Sequence, residues 1–329
     1  MTLDSFVRGL PKAELHVHLE GTLEPELRAR LAERNGLPVP AALSYDFDSL
    51  ASFLAVYYPA MDVLREEQDF YDLATEYFRR AAADGVVRAE VFFDPQAHTS
   101  RGVPFESVIG GYHRAAVDAA ELGIDAALIL CFLRDLSAES ARETLERALP
   151  FADRLIGVGL DSDERGNPPA KFREVFALAR EAGLRLTMHC DVDQPNSVEH
   201  LRQVLEEIGV DRIDHGTNIV EAPELVERVL ERGLALTCCP LSNSFVSSDM
   251  KAVELRALLE RGVRVTVNSD DPAYFGGYVA DNYLALASRA GFTRDELVQL
   301  ARNSVLGSWA SPEAQEELLA RIDAHAATA

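Results

Sequence analysis

Short apolar runs alternate along the whole chain with longer stretches that have the spacing of amphipathic helices. Eight of the apolar runs are rich in β-branched residues and predict strands. They cover residues 13–18, 86–93, 125–133, 155–161, 184–190, 210–215, 234–240 and 263–269. Two of the intervening stretches, 169–183 and 222–233, end in a glycine directly before the next strand, which is a common helix stop. This alternation predicts a parallel sheet packed against helices.

Eight such strand–helix units fit a closed (β/α)₈ barrel, the TIM barrel fold. The length of 329 residues suits one barrel with insertions. An open, doubly wound sheet has the same alternation and is the alternative, but no glycine-rich phosphate-binding fingerprint follows any strand. We therefore predict that residues 1–329 form a single barrel domain.

The segment 24–84 is a predicted helical insertion between the first two strands. It is rich in aromatic residues, as in "SFLAVYYPAMDVL" and "DFYDLATEYF". A packed helical subdomain is the simpler interpretation. A lid over the mouth of the barrel is the functional alternative.

Composition narrows the choice of partners and location. The net charge of −22 disfavours nucleic acid and anionic membranes as partners. We find no run of about 20 apolar residues that could span a bilayer, and the N-terminus lacks the basic start and apolar core of a signal peptide. A homo-oligomer is compatible with the sequence. The cysteines have no paired spacing and predict reduced thiols in a cytoplasmic protein; they are Cys131, Cys190, Cys238 and Cys239.

Polar residues with metal-binding chemistry lie at the C-terminal ends of four predicted strands, where a parallel barrel builds its active site. His16 and His18 are two residues apart and therefore point to the same side of a strand. The others are His189 after strand five, His215 after strand six, and the pair Asp270 and Asp271 after strand eight. Three histidines and one carboxylate suit a borderline divalent ion, most simply Zn²⁺, and the fourth histidine, His215, would stand beside it.

Each of these signals is weak alone, because a single histidine is usually structural and "SDDP" is an ordinary turn. Their coincidence at strand ends is what predicts a metal site. His98, after strand two, faces the predicted mouth and is a candidate substrate contact. The other histidines lie in helix-like stretches, and we expect them to be structural or exposed: His113, His200 and His325.

Four segments, "PKAELHVHLEGTL", "DRIDHG", "CPLSN" and "VNSDDPAYFGGY", resemble the adenosine/adenine deaminase family of the amidohydrolase superfamily. The resemblance runs in order over nearly the whole chain. "SDDPAYFGGY", with Glu20 in "HLEG", is similar to the adenine and aminodeoxyfutalosine deaminase branch. The resemblance implies a (β/α)₈ barrel with one zinc ion.

Site residues follow from the resemblance by position. The implied zinc ligands are His16, His18, His189 and Asp270. His215 corresponds to the histidine that orients the attacking water, and Asp270 shares its proton. Asp271 corresponds to the carboxyl group at the purine N7, and Gly159 to the glycine whose backbone meets the ring. Where adenosine-type enzymes bind ribose through Asp, Glu20 could close the sugar space or bind another substituent; a solvated helix cap is the alternative.

The sequence departs from the family at its proton donor. The family pattern after the strand-five histidine is His-Ala-Gly-Glu, but here His189 is followed by Cys190, Asp191 and Val192. Valine cannot protonate a ring nitrogen. Asp191 shares the face of His189 if strand alternation continues, so we predict that it is the acid. Binding of backbone amides in the loop is the alternative for Asp191, and Asp193 is the next candidate.

These residues predict a zinc-dependent hydrolytic deaminase of a purine-like base or nucleoside. Zinc-activated water would add to the ring carbon that bears the amine, and ammonia would leave. A related amidohydrolase that acts on a different amino-heterocycle or C–N bond in specialised metabolism is the first alternative. A binding protein without catalysis is the second, although the presence of every metal-binding position argues against it.

Overall fold

The computed structural model describes residues 1–38, 47, 49–190, 194–246 and 249–328. Its eight strands form one parallel sheet in sequential order, which confirms the predicted (β/α)₈ barrel. The strands are β1 (Lys12–Glu14), β2 (Val86–Phe93), β3 (Asp125–Leu133), β4 (Leu155–Asp161), β5 (Arg185–Cys190), β6 (Arg212–His215), β7 (Ala235–Cys238) and β8 (Arg264–Val267). The observed bounds of β2, β3 and β4 are the predicted ones, and the other strands are shorter.

The barrel closes between the residues that follow β8 and β1. Val17 and Asp270 form a parallel bridge. The His18 N–H donates to the Asp270 carbonyl at 3.0 Å, and the Asp270 N–H donates to the His16 carbonyl at 3.1 Å. Because the first and last strands meet, the open doubly wound alternative is wrong. The same backbone that closes the barrel therefore carries candidate metal ligands.

Helices follow every strand, as the periodicity predicts. They are α1 (Leu3–Gly9), α2 (Pro25–Arg34), α3 (Leu50–Ala60), α4 (Glu67–Ala83), α5 (Pro95–Thr99), α6 (Phe105–Asp118), α7 (Ala138–Ala148), α8 (Arg173–Glu181), α9 (Ser197–Arg202), α10 (Pro223–Arg232), α11 (Pro240–Val246), α12 (Ala252–Glu260), α13 (Pro272–Phe275), α14 (Val279–Ala290), α15 (Arg294–Gly307) and α16 (Pro312–Ala326). Helices α2, α3 and α4 make up the insertion between β1 and β2. Within the described part of the chain, no helix is both long and apolar enough to cross a membrane. All four cysteines are buried, and none of them forms a disulfide.

The interior of the barrel is layered below the site. At the base, the buried carboxylate of Glu90 accepts hydrogen bonds from Arg88 at 2.9 Å and Arg212 at 2.5 Å. Burial alone would raise the pKa of Glu90, but the two guanidinium groups lower it below its ordinary value. Above this ionic layer, Phe92 packs with Ile129 and Cys131 in a small apolar cluster. This apolar layer lies directly beneath the histidines.

Candidate metal centre and active site

Three imidazoles and one carboxylate converge at the mouth of the barrel. The Nε2 atoms of His18 and His189 are 3.1 Å apart. Asp270 Oδ1 lies 3.3 Å from His16 Nε2 and 3.5 Å from His18 Nε2. Ligands at ordinary zinc distances in a tetrahedral site are separated by about 3.3 Å. The separations of these atom pairs are therefore compatible with ligands of one divalent metal ion.

The electrostatics of the cluster match the needs of a metal, which binds neutral imidazole and ionised carboxylate. Burial lowers the pKa of His16 to about 4. Burial, and then the neighbouring imidazoles, lower the pKa of His189 well below its ordinary value. Burial alone would raise the pKa of Asp270, but the rings of His16 and His215 hold it well below the usual range. His16 and His189 are thus neutral and Asp270 is ionised at pH 7.

A second layer of polar groups orients these ligands. His16 Nδ1 is 2.8 Å from the Thr237 hydroxyl, which donates to Asp214 at 3.0 Å. The other carboxylate oxygen of Asp214 lies 3.5 Å from His189 Nδ1. Carboxylates placed behind metal-bound histidines fix the ring orientation and increase ligand basicity. One buried residue, Asp214, thereby supports two of the three histidines.

His215 lies beside this cluster. Its φ of 59° and the φ of 64° at Asp270 are in the left-handed region, which is rare for residues other than glycine and is often found at functional sites. His215 Nε2 lies 3.9 Å from Asp270 Oδ2. A second convergent set would combine His215 with His16, Asp270 and Cys239. Burial raises the pKa of the Cys239 thiol well above its ordinary value.

A cavity that is partly open to solvent is lined by three of the four converging residues, His18, His189 and Asp270. Helix α3 covers it with apolar and aromatic side chains, including Phe53, Tyr57 and Tyr58. The Tyr58 hydroxyl donates to Ser162 Oγ at 2.8 Å and so ties this roof to the end of β4. The insertion is therefore placed as a lid would be, and its movement stays a prediction.

Asp271 lines the cavity next to the metal ligand Asp270. Burial, and then the neighbouring charge of Asp270, raise the pKa of Asp271 well above its ordinary value. Its Oδ1 has no hydrogen-bond partner among the described residues. A neutral carboxyl group in this position can donate a hydrogen bond to a ligand.

Three other residues predicted to contact the substrate do not line the cavity: Gly159, Glu20 and His98. Gly159 is inside the barrel, where an added Cβ would lie 2.5 Å from Cys131 Sγ, and Asp161 and Ser162 line the cavity at this strand instead. Glu20 and His98 are fully buried, with His98 Nε2 2.9 Å from Glu20 Oε1, and neither lines the cavity. A solvated helix cap is therefore the wrong description of Glu20.

The predicted acid lies outside the described residues. Asp191, Val192 and Asp193 all belong to this gap in the description. His200, expected to be structural or exposed, is buried, and its Nδ1 lies 3.7 Å from Glu164 Oε2. Glu164 itself lines the cavity.

Sequence reasoning missed three carboxyl groups of the cavity wall: Asp94, Asp161 and Glu164. The signal was available in "FFDP" and "GLDSDE", which place acidic residues at or just after the ends of β2 and β4. The rule that selected the strand-end histidines applies equally to these carboxylates.

Comparison with known proteins agrees with the site. Residues 11–325 match the adenosine deaminase family. An adenine deaminase of Rhodospirillum rubrum is 50% identical over 97% of this chain and 98% of its own length. An uncharacterised deaminase of Schizosaccharomyces pombe is 48% identical over 98% of each chain.

Solved structures agree as well. The crystal structure of adenine deaminase from Arthrobacter aurescens has a TM-score of 0.92 and 43% identity, covering 96% of this chain and 98% of that one. An amidohydrolase from Burkholderia ambifaria, determined with bound Zn, has a TM-score of 0.90 and 28% identity, with 100% and 95% covered.

Fold and site define a barrel hydrolase of the amidohydrolase superfamily with a candidate metal centre. Within it, the chain belongs to the adenosine deaminase family. It is accordingly a deaminase, a hydrolase that acts on the carbon–nitrogen bonds of cyclic amidines.

The backbone at Gly21 sets the position of Asp271. A Cβ added at Gly21 would lie 2.0 Å from Asp271 Oδ1 and 2.7 Å from its Cα, so Gly21→Ala must displace Asp271. A displacement of about 1 Å in an active site can cost about 10²-fold in rate, and we expect Gly21→Ala to lose activity on this scale with its metal retained. Steady-state kinetics with metal analysis measures both quantities.

The control is Gly110→Ala on α6, where the nearest atom is the end of the Glu67 side chain at 3.1 Å. This variant should keep the activity of the parent. Equal activity of the Gly21 and Gly110 variants would show that the position of Asp271 does not limit the reaction.

Proposed function

We propose that the protein is a zinc-dependent deaminase of a free purine base, with adenine as the first candidate, and that it binds one zinc ion per chain. The carrying observation is the convergence of His16, His18, His189 and Asp270 at a cavity that is partly open to solvent. The adenine deaminases among the relatives support the base. The zinc-bound amidohydrolase supports the metal. A cytoplasmic location and a homo-oligomeric state stay predictions.

The metal would supply hydroxide near neutral pH by lowering the pKa of water. His215 and Asp270 lie on the same side of the site and would orient the attacking water and carry its proton. Water would add to the ring carbon that bears the amine, and that amine would leave as ammonia after it takes up a proton. The product is the corresponding oxopurine.

Asp271 is the candidate for orienting the ring. A neutral carboxyl group can donate to a ring nitrogen that only accepts hydrogen bonds, such as purine N7. Burial and the neighbouring charge of Asp270 raise the pKa of Asp271, which supports this form. Asp270 and Asp271 would then divide two tasks between adjacent residues.

Function is tested by ammonia release from adenine, adenosine and a panel of other amino-heterocycles. We expect adenine to be turned over and adenosine to be a poor substrate. The missing family glutamate predicts a slow reaction with adenine, because an acid at the ring nitrogen typically contributes about 10²–10⁴-fold. Preferred turnover of a different heterocycle would favour the related amidohydrolase. Tight binding of adenine without turnover would favour the binding protein.

The metal assignment predicts two different defects. His16→Ala should lose zinc and activity together, since His16 is part of the converging set. His215→Ala should keep most of the zinc and lose turnover on the order of 10²-fold. Metal analysis beside kinetics separates them. A metal-free preparation with full activity would refute the zinc mechanism, and equal zinc loss in both variants would make His215 a ligand.

We propose Asp191 as the ring-nitrogen acid in place of the family glutamate. Asp191→Asn should lower kcat much more than it raises KM, because the interaction strengthens only as charge develops in the transition state. Glu164→Gln is the matched comparison, since Glu164 lines the cavity and its Oε2 lies 3.4 Å from Nε2 of Gln194, three residues after Asp191 in the sequence. If the Asp191 variant keeps parental kcat and the Glu164 variant does not, the acid is Glu164.

A further inference from the structure

Asp94 and Asp161 form a pair of buried carboxyl groups on the cavity wall that the reaction above does not use. Asp94 directly follows β2 and is 1% exposed, and Asp161 ends β4 and is 3% exposed. Their oxygens and a ring nitrogen of His18 all lie within 4.8 Å of one another. Within the described chain, Asp94 Oδ1 has no hydrogen-bond partner, whereas Asp161 Oδ2 lies 3.4 Å from His18 Nδ1. Buried acceptors without donors are costly, so a donor supplied by a ligand would be favourable here.

The backbone of Asp94 is fixed from behind. Its N–H donates to Glu20 Oε1 at 3.3 Å. The same oxygen accepts from the Tyr112 hydroxyl at 3.0 Å and lies 2.9 Å from His98 Nε2. Arg101 donates to His98 Nδ1 at 2.8 Å, so the proton of this ring is on Nε2 and points at Glu20. Glu20 is therefore a support for Asp94 on the side away from the cavity.

The space above the pair is closed by two consecutive tyrosines of α3. Tyr58 donates to Ser162, the residue after Asp161. Tyr57 is 3% exposed and packs on Phe53 with ring centroids 4.9 Å apart. Burial, and then the neighbouring carboxyl groups of Asp271 and Asp94, raise the pKa of Tyr57 well above its ordinary value. Tyr57 and Tyr58 line the same cavity as Asp94 and Asp161.

We propose that Asp94, backed by Asp161, accepts a hydrogen bond from the imidazole N–H of a free purine base and thereby selects the base over its nucleoside. This inference rests on the proposed function. In adenine, N9–H lies at the edge opposite the carbon that bears the amine, so that carbon can face the metal ligands while N9–H faces Asp94. A nucleoside carries its sugar on N9, which removes the donor and brings bulk against Tyr57 and Tyr58. Sites built to bind a polar hydrogen discriminate strongly against analogues that lack it.

The test compares adenine with its analogue in which an oxygen atom replaces N9–H. The two rings have nearly the same shape, so steric effects are small. For the parent enzyme we expect kcat/KM to be lower for the oxygen analogue on the order of 10²-fold or more. Values within about threefold of each other would overturn the inference, because leaving a buried acceptor without its donor costs more than this.

Asp94→Asn places an amide N–H where the acceptor was. We expect it to raise KM for adenine more than it lowers kcat, and to bring adenine and the oxygen analogue close together in kcat/KM. Asp62→Asn is the control, since Asp62 lies in the insertion between β1 and β2 and its side chain is 57% exposed. Circular dichroism and metal content establish that both variants are folded; if the Asp94 variant is not, the comparison in the parent still decides.

The outcomes separate this inference from the function on which it rests. A parent enzyme that does not deaminate adenine overturns both. Turnover of adenine without discrimination against the oxygen analogue overturns the inference and leaves the proposed function intact. Loss of a second equivalent of bound zinc in Asp94→Asn would assign Asp94, Asp161 and His18 to a cation, and would also overturn it.

Discussion

The convergence of three imidazoles and one carboxylate is the constraint on which the barrel mouth depends. The pairs His18–His189, His16–Asp270 and His18–Asp270 lie 3.1–3.5 Å apart, and all four side chains are buried. Burial lowers the pKa of His16 to about 4, so this ring does not take up a proton at neutral pH. The site is thus prepared for a metal by desolvation as much as by ligand identity.

Asp270 connects this constraint to the fold. Its backbone bridges Val17 and closes the barrel, and its side chain is one of the four converging groups. The left-handed φ of 64° turns that side chain toward the histidines while the main chain keeps its hydrogen bonds to His16 and His18. The same backbone segment therefore closes the barrel and places a candidate metal ligand. A chain that failed to join β8 to β1 would also fail to form the site.

The parts that could be predicted from sequence rest on local periodicity. Strand alternation places His16 and His18 on one side, and the parallel barrel brings strand ends together, so the metal cluster needed no tertiary information. The environments of Glu20 and His98 depend on Tyr112 of α6 and on packing between distant segments, which no local pattern encodes. Gly159 was assigned to the ring by position, yet the path of β4 places it two residues below Asp161, inside the barrel. The carboxylates of Asp94 and Asp161 stand at strand ends, as the histidines do, so the same rule could have predicted them from the sequence.

The pKa values of two adjacent carboxyl groups of the cavity are shifted in opposite directions. The imidazoles lower the pKa of Asp270, while burial and the charge of Asp270 raise the pKa of Asp271. Different environments for paired titratable groups are how one site can provide both an acceptor and a donor. Asp270 faces the histidines, and both residues line the cavity. The "SDDP" turn, unremarkable as a sequence, becomes specific because the barrel surrounds its two aspartates with different neighbours.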